Sequence, residues 1–418
     1  MSQPAMPEAA PPGLHFVFLQ GMPCAFFSRI ASTLARRGCR ATGINFCAGD
    51  QLFWRGPATV NYRGRIADWP AFIARFIERE AVTDLVLLGE QLSYHKLAIA
   101  AAQARGVRVT VTDFGYLRPD WITLERDGMS GNSRFPRELA EILRLAADLP
   151  AADFERLYRD SALQMSIGDL LQCFSSVLLW WLYPHYRHTR PRPHPFIYFP
   201  AMGLRLVLGR LRRESVQRRA AALLASKARF FVLPLQLQHD FQIIAYSPFE
   251  DLGDAVRLVL ESFAQHAAAD VRLVVKLHPW DPGLDRWESR VLAMARDCGI
   301  AGRVDFLDGG DLDALIRASL GMITVNSTSG LRALQLGSPV KTLGQAIYDI
   351  PGLSFQGPLD AFWSQATAPD PAHVSGLLNL MAASIQIRGV FFSEPGQGAA
   401  VAAAVERLYT GTVGQCIR

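Results

Sequence analysis

From residue 230 onward, short apolar runs alternate with stretches in which apolar residues recur every three to four positions. The pattern predicts strands at FFVLPL (230–235), VRLVVKL (271–277), RVDFL (303–307), GMITV (321–325) and PVKTL (339–343). Helices are expected near 251–266, 285–297, 311–318 and 329–336, with Asp311 as an N-cap and Gly337 as a stop. Strand and helix in alternation describe a parallel sheet with crossover helices, so this half reads as one Rossmann-like domain. The N-terminal half repeats the grammar less cleanly, with strands at 15–20, 39–44, 84–89 and 107–112 and helices at 25–37, 69–79 and 94–105. The fold class is therefore α/β, with two Rossmann-like domains facing across a cleft, where the carboxyl ends of both sheets open to ligands. The expected boundaries are a disordered tail at 1–13, an N-terminal domain at 14–150 and a helical, basic connecting segment at 151–227. A C-terminal domain at 228–390 and a final helix and tail at 391–418 complete the chain.

Composition narrows the class. The chain has 418 residues, 50% hydrophobic and 19% charged, which is ample for packed cores and excludes disordered or collagen-like architectures. The longest apolar stretch, FSSVLLWWLY (174–183), falls short of the roughly 20 residues that cross a bilayer. The first thirteen residues lack the basic and apolar regions of a signal peptide, so a cytoplasmic protein is expected. Six cysteines without a CxxC pair read as small buried hydrophobes, with neither a zinc site nor a disulfide framework. Arginine carries the net charge of +5, and the only lysines are Lys96, Lys227, Lys276 and Lys341.

Three polar clusters in the C-terminal half fall at strand exits. In QLQHDFQ, the alternating Gln236, Gln238, Asp240 and Gln242 share one side if the segment is extended. Lys276 and His278 stand two residues apart at the end of VVKL, and Pro279 then stops the strand. The turn VNSTSG brings Asn326, Ser327, Thr328 and Ser329 to the start of a helix, where hydroxyls and backbone N–H groups make an anion site. Together they suit a nucleotide phosphate. The plain alternative makes the serine cluster an N-cap and the histidine a hydrogen-bonded core residue. Lys276 resists that reading, because a buried strand end does not carry a charge without a partner. No GxGxxG follows the first strand and no GxxxxGKS/T occurs, against dehydrogenases and P-loop NTPases.

In the N-terminal half the candidates are Glu90 with His95 in GEQLSYH, and Asp113 in VTVTDFGYLRPDW, which also holds Tyr116 and Arg118. A carboxylate at a strand terminus serves as base or nucleophile in glycosyl transfer, or merely caps the turn at Gly115. Asn45, Asp50, Trp54, Asn61 and Arg63 read as a long loop over the same cleft. The stretch from Leu170 to Arg192 joins aromatic anchors (Trp180, Trp181) to His185, Arg187, His188 and Arg190, and a basic run follows at 205–219. It reads either as a peripheral membrane contact or as a packed helix followed by a solvated linker. No nucleic-acid motif is present, and none is expected as partner.

The strings INFCAGDQLFW, NYRGRIADWP, GYLRPDWITLE with GNS after it, PHYRHTRP, LPLQLQHDFQI, VVKLHPWD and VNSTSGLRALQLGSPVKTLGQAIYDIPGL resemble the KpsS/LipB family of capsular polysaccharide synthesis proteins. The likeness runs from about residue 16 to beyond 392. It implies a GT-B-like, bacterial glycosyltransferase that moves Kdo from CMP-β-Kdo, with retention, onto a phosphatidylglycerol-type lipid acceptor. The N-terminal domain is then the acceptor domain and the C-terminal one the CMP-binding domain. Lys276, His278 and Pro279 match the family's HP motif for the CMP phosphate. Ser327, Thr328 and Ser329 match its serine/threonine motif, and Gln238 and Asp240 lie beside that pocket. Asn45, Asp50, Trp54, Arg63, Tyr116 and Arg118 are the expected acceptor residues. The resemblance further implies work at the cytoplasmic face of the inner membrane with the capsule synthesis and export proteins, without metal or cofactor. One departure stands out: the family usually carries two acidic residues before the glycine of its GY motif, the second matching the nucleophile of the related Kdo transferases, whereas here Asp113 is followed by Phe114. Neighbouring strand residues point to opposite faces. Either the backbone bends to bring Asp113 to the sugar, or Glu90 or another carboxylate acts, or catalysis is altered. The alternatives are a degenerate CMP-binding scaffold of the export machinery and a transferase using a UDP-sugar.

Overall fold

The computed structural model describes residues 13–187, 192–238 and 240–416, so the expected tail, apart from Gly13, lies outside the described residues, as do His188 and Arg190. Among the described residues the strands in chain order are β1 (His15–Phe18), β2 (Arg40–Asn45), β3 (Ala58–Asn61), β4 (Asp84–Leu88), β5 (Arg108–Phe114) and β6 (Trp121–Arg126). They continue with β7 (Phe230–Pro234), β8 (Arg272–Lys276), β9 (Val304–Leu307), β10 (Gly321–Thr324), β11 (Val340–Thr342) and β12 (Gln386–Arg388).

Two compact units share the chain. The first holds a seven-stranded sheet in the order β12-β6-β5-β4-β1-β2-β3, and the second a five-stranded sheet in the order β11-β10-β7-β8-β9. Counted from its own first strand, each sheet contains the order 3-2-1-4-5, all parallel, which is the doubly wound Rossmann arrangement. The strands expected from apolar runs are present, with ends shifted by one or two residues. The helices also form as expected: Asp311 caps Leu312–Ala318 by accepting from the Asp313 and Ala314 N–H groups, and Gly337, at φ +77°, ends Thr328–Gln335.

The linear division into domains does not survive. Pro150–Arg190 and Leu380–Arg418 belong with the N-terminal unit, whereas Pro136–Leu149 joins Pro191–Asn379 in the other. The segment 151–227 is thus no unit of its own. The cause is pairing and burial: β12 hydrogen-bonds antiparallel to β6, and the helix Gly396–Thr410 lays Ala400, Val401 and Leu408 in the same core as Phe26, Ile30 and Leu34. The basic run lies on a long helix, Pro195–Ala225, whose Ala220 packs against Phe230, Val232 and Leu307. Cys39, Cys47 and Cys173 are buried as expected, but Cys416 is exposed.

Candidate functional site

In the C-terminal unit the strand order reverses between β7 and β10, and sheets of this kind open a ligand crevice beyond the carboxyl ends at such a point. Gln236 follows β7, Lys276 ends β8 with His278 two residues on, and Asn326 and Ser327 follow β10. The three predicted clusters therefore converge on one edge of one sheet.

Their roles differ. Gln236 Nε2 donates to Asn326 Oδ1 at 3.0 Å, and the Asn326 N–H returns a bond to Gln236 Oε1 at 3.2 Å. Asn326 Nδ2 donates to the Gln242 carbonyl at 2.6 Å, so this amide is a girder across the strand exits rather than a ligand contact. Ser327 caps the helix Thr328–Gln335: its Oγ accepts from the Ser329 N–H at 3.2 Å and from the Ser329 hydroxyl at 2.9 Å. Thr328 and Ser329 stand half-buried at the positive end of that helix. The turn is braced by Tyr348, missed in the sequence, whose hydroxyl donates to the Ser327 carbonyl at 2.5 Å. A Cβ on Gly330 would lie 2.1 Å from that hydroxyl, which is why a glycine stands there.

Lys276 is 6% exposed, and burial lowers its pKa while the charges of Asp308 and Asp311 act the other way. Among the described residues its ammonium has no hydrogen bond or ion pair. Asp308 is already held by Arg205 in a bidentate grip, with 2.7 Å between Nη1 and Oδ2, and Arg205 Nε donates to the Asp281 carbonyl at 2.8 Å. A buried ammonium whose neighbouring carboxylate is taken suits an incoming anion. His278 Nδ1 accepts from the Trp280 N–H at 3.1 Å, so the neutral ring carries its proton on Nε2 as a donor.

The expected row in QLQHDFQ does not form, because the segment turns into the helix Phe241–Tyr246 instead of extending. Gln238 Oε1 accepts from the Leu252 N–H at 3.2 Å while its amide donates to Asp251 at 3.1 Å. Asp240 caps the short helix by accepting from the Gln242 N–H at 2.9 Å, and burial raises its pKa against that bond and one from Gln236.

The N-terminal unit presents its carboxylates at the ends of β4 and β5. β5 runs two residues further than its apolar pattern, so Asp113 lies inside the strand and not at the turn. Its register is regular, Asp113 opposite Thr123 and Phe114 opposite Ile122, and no bulge re-aims the side chains. Phe114 packs edge-on against Phe391 in the core, with centroids 5.3 Å apart. Asp113, half-buried, occupies the other face with Oδ2 4.0 Å from the position a Cβ of Gly89 would take. Its Oδ1 accepts from the Phe114 N–H at 2.7 Å.

Glu90 is buried and accepts from Asn132 Nδ2 at 2.8 Å. His95 is fully buried, and its Nδ1 meets the Gly89 carbonyl at 2.8 Å, so it positions the strand exit and is too deep to touch substrate. A further buried carboxylate, Glu125 on β6, accepts from the Tyr116 hydroxyl at 2.7 Å and from Ser133. Its hydroxylic neighbours in the GNS string were the available signal. Burial, reinforced by Glu125, pushes the Tyr116 phenol well above its ordinary pKa.

The expected loop at 45–63 is instead the helix Ala48–Phe53 followed by β3. Asp50 is buried, accepting from Gln20 at 2.7 Å, Gln172 at 3.1 Å and the Phe46 N–H at 3.0 Å. Burial raises its pKa against those bonds. Asn45 donates to Asn61 at 3.0 Å, and Trp54 donates to the Ala58 carbonyl at 2.9 Å while its indole fills the space above Gly43 and Gly56. Asn45, Asp50, Trp54 and Tyr116 are thus internal supports, since covered polar groups must be satisfied within the fold. Arg63 and Arg118 remain exposed, lying over the rings of Tyr183 at 5.9 Å and Phe114 at 5.8 Å.

The chain matches the family described as "Capsule polysaccharide biosynthesis protein" over residues 83–392. It is 31% identical over 395 residues to the capsule polysaccharide modification protein LipB of Neisseria meningitidis serogroup A, covering 91% of this chain and 92% of that one. To the capsule polysaccharide export protein KpsS of Escherichia coli it is 29% identical over 388 residues, covering 91% and 97%. Among solved structures it is similar to Thermosulfurimonas dismutans KpsC, beta Kdo 2,7 transferase, at 13% identity and a TM-score of 0.46, over 95% of this chain and 99% of that one.

Proposed function

Because the chain belongs to the capsule polysaccharide biosynthesis protein family, we propose that it is a retaining β-Kdo glycosyltransferase that uses CMP-β-Kdo and a phosphatidylglycerol-type lipid acceptor. Its product is the lipid-borne linker on which capsular polysaccharide is exported. The work is done at the cytoplasmic face of the inner membrane. The observation that carries the reading is Lys276, a buried ammonium without an ion pair among the described residues, on the same carboxyl edge of the sheet as His278 and the N-terminus of the helix Thr328–Gln335. These groups bind the phosphate of CMP, and Thr328 adds a hydroxyl donor.

The regular register of β5 leaves Asp113 on the face opposite the family's second acid, so in this reading the sugar lies on Asp113's own face, beside Gly89. There a carboxylate oxygen of Asp113 attacks the anomeric carbon of Kdo, and the bond from that carbon to the CMP phosphate oxygen breaks. The electron pair leaves on CMP, where the Lys276 ammonium neutralises it and the His278 Nε2–H donates a hydrogen bond to it. The acceptor hydroxyl then displaces the carboxylate from the second face and yields its proton to solvent or to the freed base, giving net retention. Glu90, held by Asn132, supports the exit of β4 beside Asp113.

Asp113→Asn is expected to abolish transfer of radiolabelled Kdo to a lipid acceptor while leaving calorimetric CMP affinity within about twofold; full transfer by this variant would overturn the assignment. A second reading, a CMP-binding scaffold without turnover, is favoured by Phe114, whose ring is committed to the core on the face where the family places its second acid. Wild-type chain that binds CMP and yields no labelled product selects that reading. Stronger calorimetric binding of UDP than of CMP sinks the donor assignment.

A further inference from the structure

The helix Pro195–Ala225 has one packed side and one bare side. Met202 and Ala220 are buried, and Arg205 reaches Asp308. Away from these, Phe196, Ile197, Leu204, Val207, Leu208 and Leu211 recur at steps of three, four and seven residues and so form one stripe. All six are exposed, Leu204 by 61% and Leu211 by 77%. Surface helices turn such a stripe toward the core; here the core side is already occupied, and the stripe meets water. Arg210 and Arg212 are exposed along its two borders, and Glu214 is the sole acidic residue of the helix. Apolar side chains bordered by guanidinium groups match the boundary of an anionic bilayer, where acyl chains lie beneath phosphate. No described helix is long and apolar enough to cross a membrane, which leaves a helix lying along the surface.

We propose that the helix Pro195–Ala225 docks flat on an anionic lipid bilayer through this stripe. The proposal rests on the reading of a lipid acceptor given above and adds the surface that meets the lipid. The test is co-flotation of the full chain with vesicles of phosphatidylcholine alone or mixed with phosphatidylglycerol. The chain is expected to float with the mixed vesicles, and Leu204→Asp/Leu211→Asp to lower the bound fraction roughly tenfold. Arg210→Ala/Arg212→Ala is expected to remove most of the preference for phosphatidylglycerol. The altered side chains are exposed, so circular dichroism and CMP affinity stay unchanged. Wild-type chain that does not float, or a leucine double variant that floats like it, overturns the proposal. So does a sedimentation experiment in which the double variant splits an oligomer without loss of flotation, which makes the stripe an interface between copies. Transfer to a detergent-dispersed acceptor separates the two readings: its absence in a chain that floats defeats the transferase assignment and leaves the docking surface standing.

Discussion

Lys276 concentrates the chemistry of the C-terminal unit in one side chain. A buried ammonium without an ion pair costs stability, and that cost is recovered when an anion arrives. Lys276→Met is therefore expected to weaken CMP binding by about 1.5–3 kcal/mol, ten- to a hundredfold, while the thermal midpoint holds or rises. Calorimetry and a melting curve check both halves, and a variant that loses stability with unchanged affinity contradicts the assignment. The pH dependence has a definite sign. The folded-state pKa lies below the ordinary 10.5, so the unfolded chain binds the extra proton between the two values. This group's contribution to stability is then complete above 10.5 and falls as pH drops through the lowered value. CMP affinity runs the other way, declining as pH rises through that lowered value. Nothing similar holds for Asn326, whose side chain is spent on the fold.

The turn between β10 and the helix Thr328–Gln335 shows how a short element is held by a distant residue. Ser327 supplies the cap, but the carbonyl of Ser327 is fixed from outside by Tyr348. Gly330→Ala forces the Tyr348 hydroxyl away and is expected to cost about 1–3 kcal/mol of stability together with a loss of CMP affinity. Tyr348→Phe, which removes only the hydrogen bond, is expected to cost about 1 kcal/mol. Equal stability of Gly330→Ala and wild type in denaturant titrations contradicts this packing. β5 teaches the converse lesson: because its pairing with β6 is regular, Asp113 and Phe114 are assigned to opposite faces by register alone.

Each unit is assembled from segments distant in the chain, and that has consequences for truncation. Removal of Leu380–Arg418 strips β12 from β6 and uncovers Phe26, Ile30 and Leu34. A chain ending at Asn379 is expected to aggregate on size-exclusion chromatography; a monodisperse product with native near-ultraviolet dichroism contradicts the architecture. The linear domain boundaries failed for the same reason. Strands β3, β6 and β12 are short or lie outside the regular alternation, and edge pairing between residues some 260 positions apart leaves no local trace.

Period and punctuation along the chain were enough to locate every parallel strand but β3, the Asp311 cap, the Gly337 stop and the convergence of Lys276, His278 and Ser327 on one edge. Such features depend on the local backbone and on apolar residues facing their own sheet, which neighbours in sequence specify. Whether a polar side chain at a strand exit faces a ligand or serves the fold was decided only by packing. Gln238, Asp50 and Asn45 look alike in sequence to free ligand groups, yet each is consumed by partners brought from other elements. A buried polar group takes whatever partner the tertiary structure supplies, and that partner cannot be read from its own neighbours.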